Sequence, residues 1–226
     1  MRGFVGGMIV WTGMLLTSVG LAQTTAPATQ PIAADQTTPQ GTLVILTRAM
    51  QSGDSASAKP LLHSVKPDEA SLADMLIQSI DVNSQYKKAV AKSFGADIAD
   101  RMAGSDADET EAEARIGKAK VTISGDSAIV ESEPAGDPIK LIQVDGKWKI
   151  SIASFGGDQI AQAKQQMKIR MDIIAQATTE LGQGKFKKVE ELQEALDSRL
   201  ALAMLQASQA QSAAPSQPAS APAMAP

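Results

Sequence analysis

Midway along this chain the spacing of apolar residues changes from three and four to two, and that change dictates a sheet between helices. From Arg115 onward, Ala119, Val121 and Ile123 alternate with Lys118, Lys120, Thr122 and Ser124, the pattern of a strand with one face buried. Gly125-Asp126 supplies a tight turn into residues 127–133, and residues 134–138 form a wider loop. Asp145-Gly146 then joins residues 139–144 to 147–152; this dipeptide tolerates the left-handed backbone of a two-residue hairpin. The spacing predicts a four-stranded antiparallel meander. Its candidate inward positions are Ala119, Val121, Ile123, Ala128, Val130, Ile139, Leu141, Trp148, Ile150 and Ile152, all apolar.

Helical spacing flanks the meander on both sides. Leu43, Leu46, Thr47 and Met50 share one face of a helix over residues 41–50, which Gly53-Asp54 ends. Ser55 caps a short second helix closing near Leu61, Leu62 and His63. A third helix is predicted from Pro67 to Gly104, with Asp68 and Glu69 at its positive end and a stripe from Leu72 through Val90 and Phe94 to Met102. No strand is visible between the second and third helices. After the meander, Ile160, Met167, Ile174 and Leu181 recur every seven residues, a seam suited to another helix. Gly182 to Gly184 stops it, and Val189, Leu192, Leu196 and Leu200 mark a helix running back. The pair is expected to cover the sheet or to project from it.

The expected organisation is a signal peptide at 1–22, a disordered linker at 23–40, an α+β domain at 41–155, a helical hairpin at 156–206 and a disordered Ala/Pro/Ser-rich tail at 207–226. Arg2 precedes an uncharged run ending at Leu21, with Gly20 and Ala22 placed for cleavage after Ala22. An uncleaved anchor is the alternative, and the run's many glycines argue against it. The expected location is therefore periplasmic or secreted, with no membrane span after cleavage. The linker and tail hold little that could offset their ordering entropy. Cysteine is absent, which excludes disulfides, thiol catalysis and a lipid-modified cysteine. The net charge of −4 argues against nucleic acid, which needs a concentrated basic surface.

The run Ala49-Met50-Gln51-Ser52-Gly53-Asp54 between two helices, followed by a closing Val144-Asp145-Gly146-Lys147-Trp148 hairpin, resembles exported bacterial members of the nuclear-transport-factor-2-like superfamily. The resemblance covers about residues 39–155 and implies helices against a curved sheet, often around a cone-shaped cavity. Enzymes of that superfamily carry Asp, His, Tyr or Arg inside the cavity. The inward positions here are apolar, so the resemblance implies a non-enzymatic branch and no catalytic residue.

Other constellations read as structure. His63 is the only histidine and sits where it would cap a helix, so no multi-histidine metal site is expected. Asp106, Asp108, Glu109, Glu111 and Glu113 lack the glycine turn of a calcium loop and read as a solvated helical turn. Trp148 is expected in the core rather than stacked on a ligand. Gly156-Gly157 lacks a following Gly-Lys-Ser/Thr and reads as a joint with Asp158 as N-cap. Lys185, Lys187 and Lys188 face Glu190, Glu191 and Glu194 on a solvated helix. The sequence thus predicts a non-catalytic binding or interaction module, with no cofactor and no metal, whose partner is a protein or a small apolar ligand. Two alternatives stand beside it: a lyase or isomerase using Asp54, Asp97 or Asp100 with Tyr86 as hydrogen-bond donor, and an assembly protein that forms homo-oligomers through the helical hairpin.

Overall fold

The fold was established from a computed structural model, which describes residues 32–103, 106–131, 138–156 and 160–213. Helix α1 (Pro39–Ser52) is started by Thr38, whose hydroxyl accepts from the Gly41 backbone N–H at 3.0 Å. It ends at Gly53, where φ of 72° needs a residue without a side chain. Asp54 caps α2 (Ser55–Ala58) by accepting from the Ser57 N–H at 3.0 Å. A 3₁₀ turn leads into β1 (Leu62–His63). Glu69 accepts from the Val65 and Lys66 N–H groups at 2.8 and 3.3 Å and so starts α3 (Pro67–Phe94). The chain continues through α4 (Ala96–Ala103), α5 (Asp106–Lys118), β2 (Lys120–Ser124), β3 (Ser127–Glu131), β4 (Ile139–Val144), β5 (Lys147–Ser151), α6 (Ala153–Gly156), α7 (Ile160–Gly182) and α8 (Val189–Ala213).

The architecture is α+β. Strands β2 to β5 form the expected antiparallel meander, and β1 adds a parallel edge to give the order β1-β5-β4-β3-β2. Asp145 and Gly146 take φ of 53° and 73°, the two left-handed positions of a tight hairpin. Strand β1 pairs only Leu62 and His63 with Ile150 and Ser151, which leaves the Trp148 backbone without a strand partner on that side. Gln36, ahead of α1, and Thr42, in its first turn, fill the gap: the Trp148 N–H donates to the Gln36 carbonyl at 2.8 Å, and the Trp148 carbonyl accepts from the Thr42 hydroxyl and the Gln36 side-chain amide. A buried main chain requires such partners.

Two cores hold the layers. Under the sheet, Ala128, Val130, Leu141, Trp148 and Ile150, with Leu62 of β1, pack with Leu43, Leu46 and Ile116 from the helix side. Away from it, Val90, Ala99, Ala177, Leu181 and Leu192 pack with Tyr86, Phe94, Phe186 and Leu196. Helix α7 lies along α3 in the same direction, with Lys164 beside Asp68 at one end and Leu181 in one core with Val90 at the other. Helix α8 runs back along α7, and Glu180 at the turn is held by Lys185 at 2.7 Å and Arg199 at 2.8 Å. The hairpin therefore neither covers the sheet nor projects from it; it packs on a helix.

Several sequence expectations change. The single helix from Pro67 breaks at Gly95, whose φ of 100° only glycine adopts readily; the apolar stripe continues into α4 and hid the break. A strand does lie between the second and third helices, and His63 belongs to it rather than capping a helix: its carbonyl accepts from the Ile152 N–H at 2.9 Å. The acidic run opens a full helix, α5, whose Ile116 packs against the core under the sheet. The expected linker already holds Gln36 and the start of α1, and the expected tail holds the end of α8 at Ala213. Ile123 is 57 % exposed rather than inside, because it sits beside the 125–126 turn on an edge strand. Residues 1–22, Gly104, Gly157 and Asp158 lie outside the described residues.

Candidate functional site

The layer between helices and sheet is filled. Leu141, Ile150 and Ile152 are wholly buried, and Ala128, Val130 and Trp148 are nearly so. Trp148 is thus a core residue with its main chain clamped, as its position in the hairpin suggests.

A groove of about 330 Å³ lies elsewhere, where α1, α3 and α4 meet. Its walls include Gln51, Ser52, Ser84, Lys87, Lys88 and Asp100. These residues come together because Gly53 lets the end of α1 approach α3 closely: a Cβ at Gly53 would stand 2.5 Å from the Ser84 Cβ. At the rim, Lys87 Nζ pairs with Asp100 Oδ1 at 2.9 Å, both partly exposed. Gln51 Oε1 is buried with no hydrogen-bond partner among the described residues, a costly state for an amide oxygen unless a water or ligand donates to it.

The acids singled out by sequence do not converge. Asp100 reaches the groove, whereas Asp54 is occupied as the α2 cap, and its carboxyl is held below the usual range mainly by the Ser57 hydroxyl. Asp97 is exposed at the start of α4. Tyr86 packs in the helical core, facing away from the groove lined by Ser84, Lys87 and Lys88. Its hydroxyl is buried without a partner among the described residues, and burial pushes its pKa to about 12, so the phenol stays protonated. Of the acidic run, Glu113 forms a two-pronged pair with Arg48, and Glu111 pairs with Arg115 within the helix. Among the described residues no three His, Asp or Glu side chains are grouped to hold a metal. Lys185 closes on Glu180, and Glu191 accepts from the Lys187 N–H at the start of α8.

The strand register places a second set of side chains together, on the sheet face opposite the core. Lys120, Thr122 and Ser124 of β2 lie beside Ser127, Ile129 and Glu131 of β3, then Lys140, Ile142 and Val144 of β4, then Lys147, Lys149 and Ser151 of β5. Ile129 is 37 % exposed and Lys120, Lys140 and Lys147 are exposed. Glu131 pairs with Lys120 at 3.0 Å. Sequence reasoning passed over this face because it followed the apolar half of the alternation; the signal was the other half, Lys140-x-Ile142-x-Val144 against Lys147-x-Lys149.

No family model matches the chain, and neither the curated proteins nor the solved structures yield a match. Among the described residues no helix is long and apolar enough to cross a membrane.

Proposed function

We propose that the protein is a non-catalytic interaction module that works through its surface. One observation carries this reading: the space where a ligand-binding α+β fold would hold its cavity is packed solid with Leu141, Trp148, Ile150 and Ile152, while Ile129 stands exposed on the outer sheet face and Leu202 and Leu205 stand exposed on α8. Contiguous apolar patches rimmed by polar groups mark contact surfaces. We further propose, on the sequence alone, that the chain is exported and cleaved after Ala22, and that it belongs with the non-enzymatic nuclear-transport-factor-2-like proteins. N-terminal sequencing of the mature protein from its host tests the first point; a start other than Gln23 overturns it.

The interaction reading is tested by placing a photo-crosslinking amino acid at Ile129, at Leu202 and, as a control, at exposed Asp74. Discrete adducts from either of the first two, and none from the control, support it. Equal labelling at all three positions would sink it.

The groove favours a second reading, in which a small polar ligand donates to Gln51 and meets the Lys87–Asp100 pair. This is the site at which the lyase or isomerase alternative would have to operate. Turnover that disappears in Asp100→Asn and Lys87→Met, with folding intact, would move the assignment to it. The exposed leucines of α8 favour the third reading, assembly through the hairpin, which light scattering tests.

A further inference from the structure

Resting on the interaction reading, we infer that the open sheet face docks an acidic amphipathic helix of another protein. The argument starts from charge. The chain is acidic overall, with a net charge of −4, yet among the described residues of the four antiparallel strands this face carries Lys120, Lys140, Lys147 and Lys149 against one acid, Glu131, which Lys120 already engages. Within the register, Ile142 sits opposite Lys149 and two residues from Lys140, while Val144 sits opposite Lys147. Ile129 lies opposite Lys140 on the next strand. The result is an apolar ridge, from exposed Ile129 to half-buried Ile142 and Val144, bordered by ammonium groups.

The dimensions select the occupant. Three strands at about 4.8 Å spacing, five or six residues long at about 3.3 Å each, present a patch roughly 10 by 18 Å between strand axes. A helix of about three turns, near 16 Å long, covers it. The complement of an apolar ridge with lysine borders is a helix with a leucine-type stripe flanked by Glu or Asp, whose carboxylates reach the ammonium groups while its stripe covers Ile142. Apolar contact supplies the anchor, and the lysines supply orientation and rate of encounter.

The test uses the full chain and a fluorescein-labelled 18-residue peptide with leucines at heptad spacing and glutamates on both flanks, read by anisotropy. Saturable binding is expected, weakening as salt rises from 50 to 300 mM. The double substitution Lys140→Glu with Lys149→Glu should weaken it about tenfold, the range expected when charge complementarity is inverted. Ile142→Thr, which keeps β-branching, should weaken it with an unchanged circular dichroism spectrum. Lys92→Glu, on the exposed flank of α3, should leave it unchanged. The inference fails if the charge-reversed protein binds as well as the parent, or if a peptide with lysine in place of glutamate binds equally. It also fails if the acidic peptide does not bind while vesicles containing 30 % phosphatidylglycerol do, or if light scattering shows that a second copy fills the face and the charge reversal releases it. Failure here with specific crosslinking from Leu202 would leave the interaction reading standing and move its surface to α8.

Discussion

Replacing Gly53 with alanine tests how the end of α1 is held against α3. Two effects add. The backbone at Gly53 has φ of 72°, a left-handed conformation that costs a residue with a Cβ about 1 kcal/mol or somewhat more. The new methyl would also stand 2.4 Å from Ser84 Oγ and 2.5 Å from Ser84 Cβ. Rotating the hydroxyl relieves only the first contact, so the helices must part, an overpacking strain of about 1–3 kcal/mol. The expected loss is about 3 kcal/mol, which lowers the thermal midpoint by roughly 6–12 °C for a chain of this size. Urea unfolding followed at 222 nm should show a lower midpoint with an unchanged slope. A double-mutant cycle separates the effects: Ser84→Gly alone costs roughly 0.5 kcal/mol as a glycine within a helix, but in the Gly53→Ala background it should recover the 1–3 kcal/mol of contact strain. Additive single effects, or a loss below about 1 kcal/mol for Gly53→Ala, would refute the argument that close approach fixes this junction.

Leu141→Ala, in the fully buried centre of the sheet, should cost about 3 kcal/mol by calorimetry, whereas Leu202→Glu, at a position 56 % exposed, should stay within about 0.5 kcal/mol of the parent. Light scattering of Leu202→Glu combined with Leu205→Glu checks assembly through α8: a fall in mass relative to the parent assigns that flank to self-contact, and an unchanged mass removes the assembly reading. Glu180→Gln weakens the bonds from Lys185 and Arg199 and should destabilise by about 2 kcal/mol, the scale of hydrogen bonds to a charged group. The pH dependence has a definite sign. The Glu180 carboxyl is held below its ordinary range first by the Lys185 hydrogen bond and then by that from Arg199, and Glu69 is lowered chiefly by the Val65 N–H. Groups lowered on folding contribute fully above their unfolded pKa, and that contribution fades as pH falls through the folded value. Thermal midpoints should therefore be level from about pH 6 upward and decline below about pH 4.5, less steeply in Glu180→Gln.

The meander was legible because local chemistry writes it: Asp145-Gly146 accepts left-handed backbone, and the alternation on either side fixes which face is buried. Strand β1 was not, because two residues have no period and their role depends on a strand far ahead in the chain. The break at Gly95 escaped notice since Val90, Phe94, Ile98 and Met102 serve one core across it. Where the hairpin would dock was equally hidden; a heptad seam announces a helical neighbour without saying that the neighbour is α3. As for the candidate site, no single run encodes the groove, which joins three helices. The lysine face was written openly in residues 140–149, and only a reading of both halves of the alternation reveals it.

The clamp on Trp148 sets a schedule for the nascent chain. Gln36 and Trp148 are separated by 112 residues, and translation proceeds at about 5–20 residues per second. For roughly ten seconds after Gln36 is made, at the middle of that range, its strand-like partner does not exist. The opening segment cannot be fastened down in that interval, so whatever machinery handles the start of this chain meets it before the fold can close over β5.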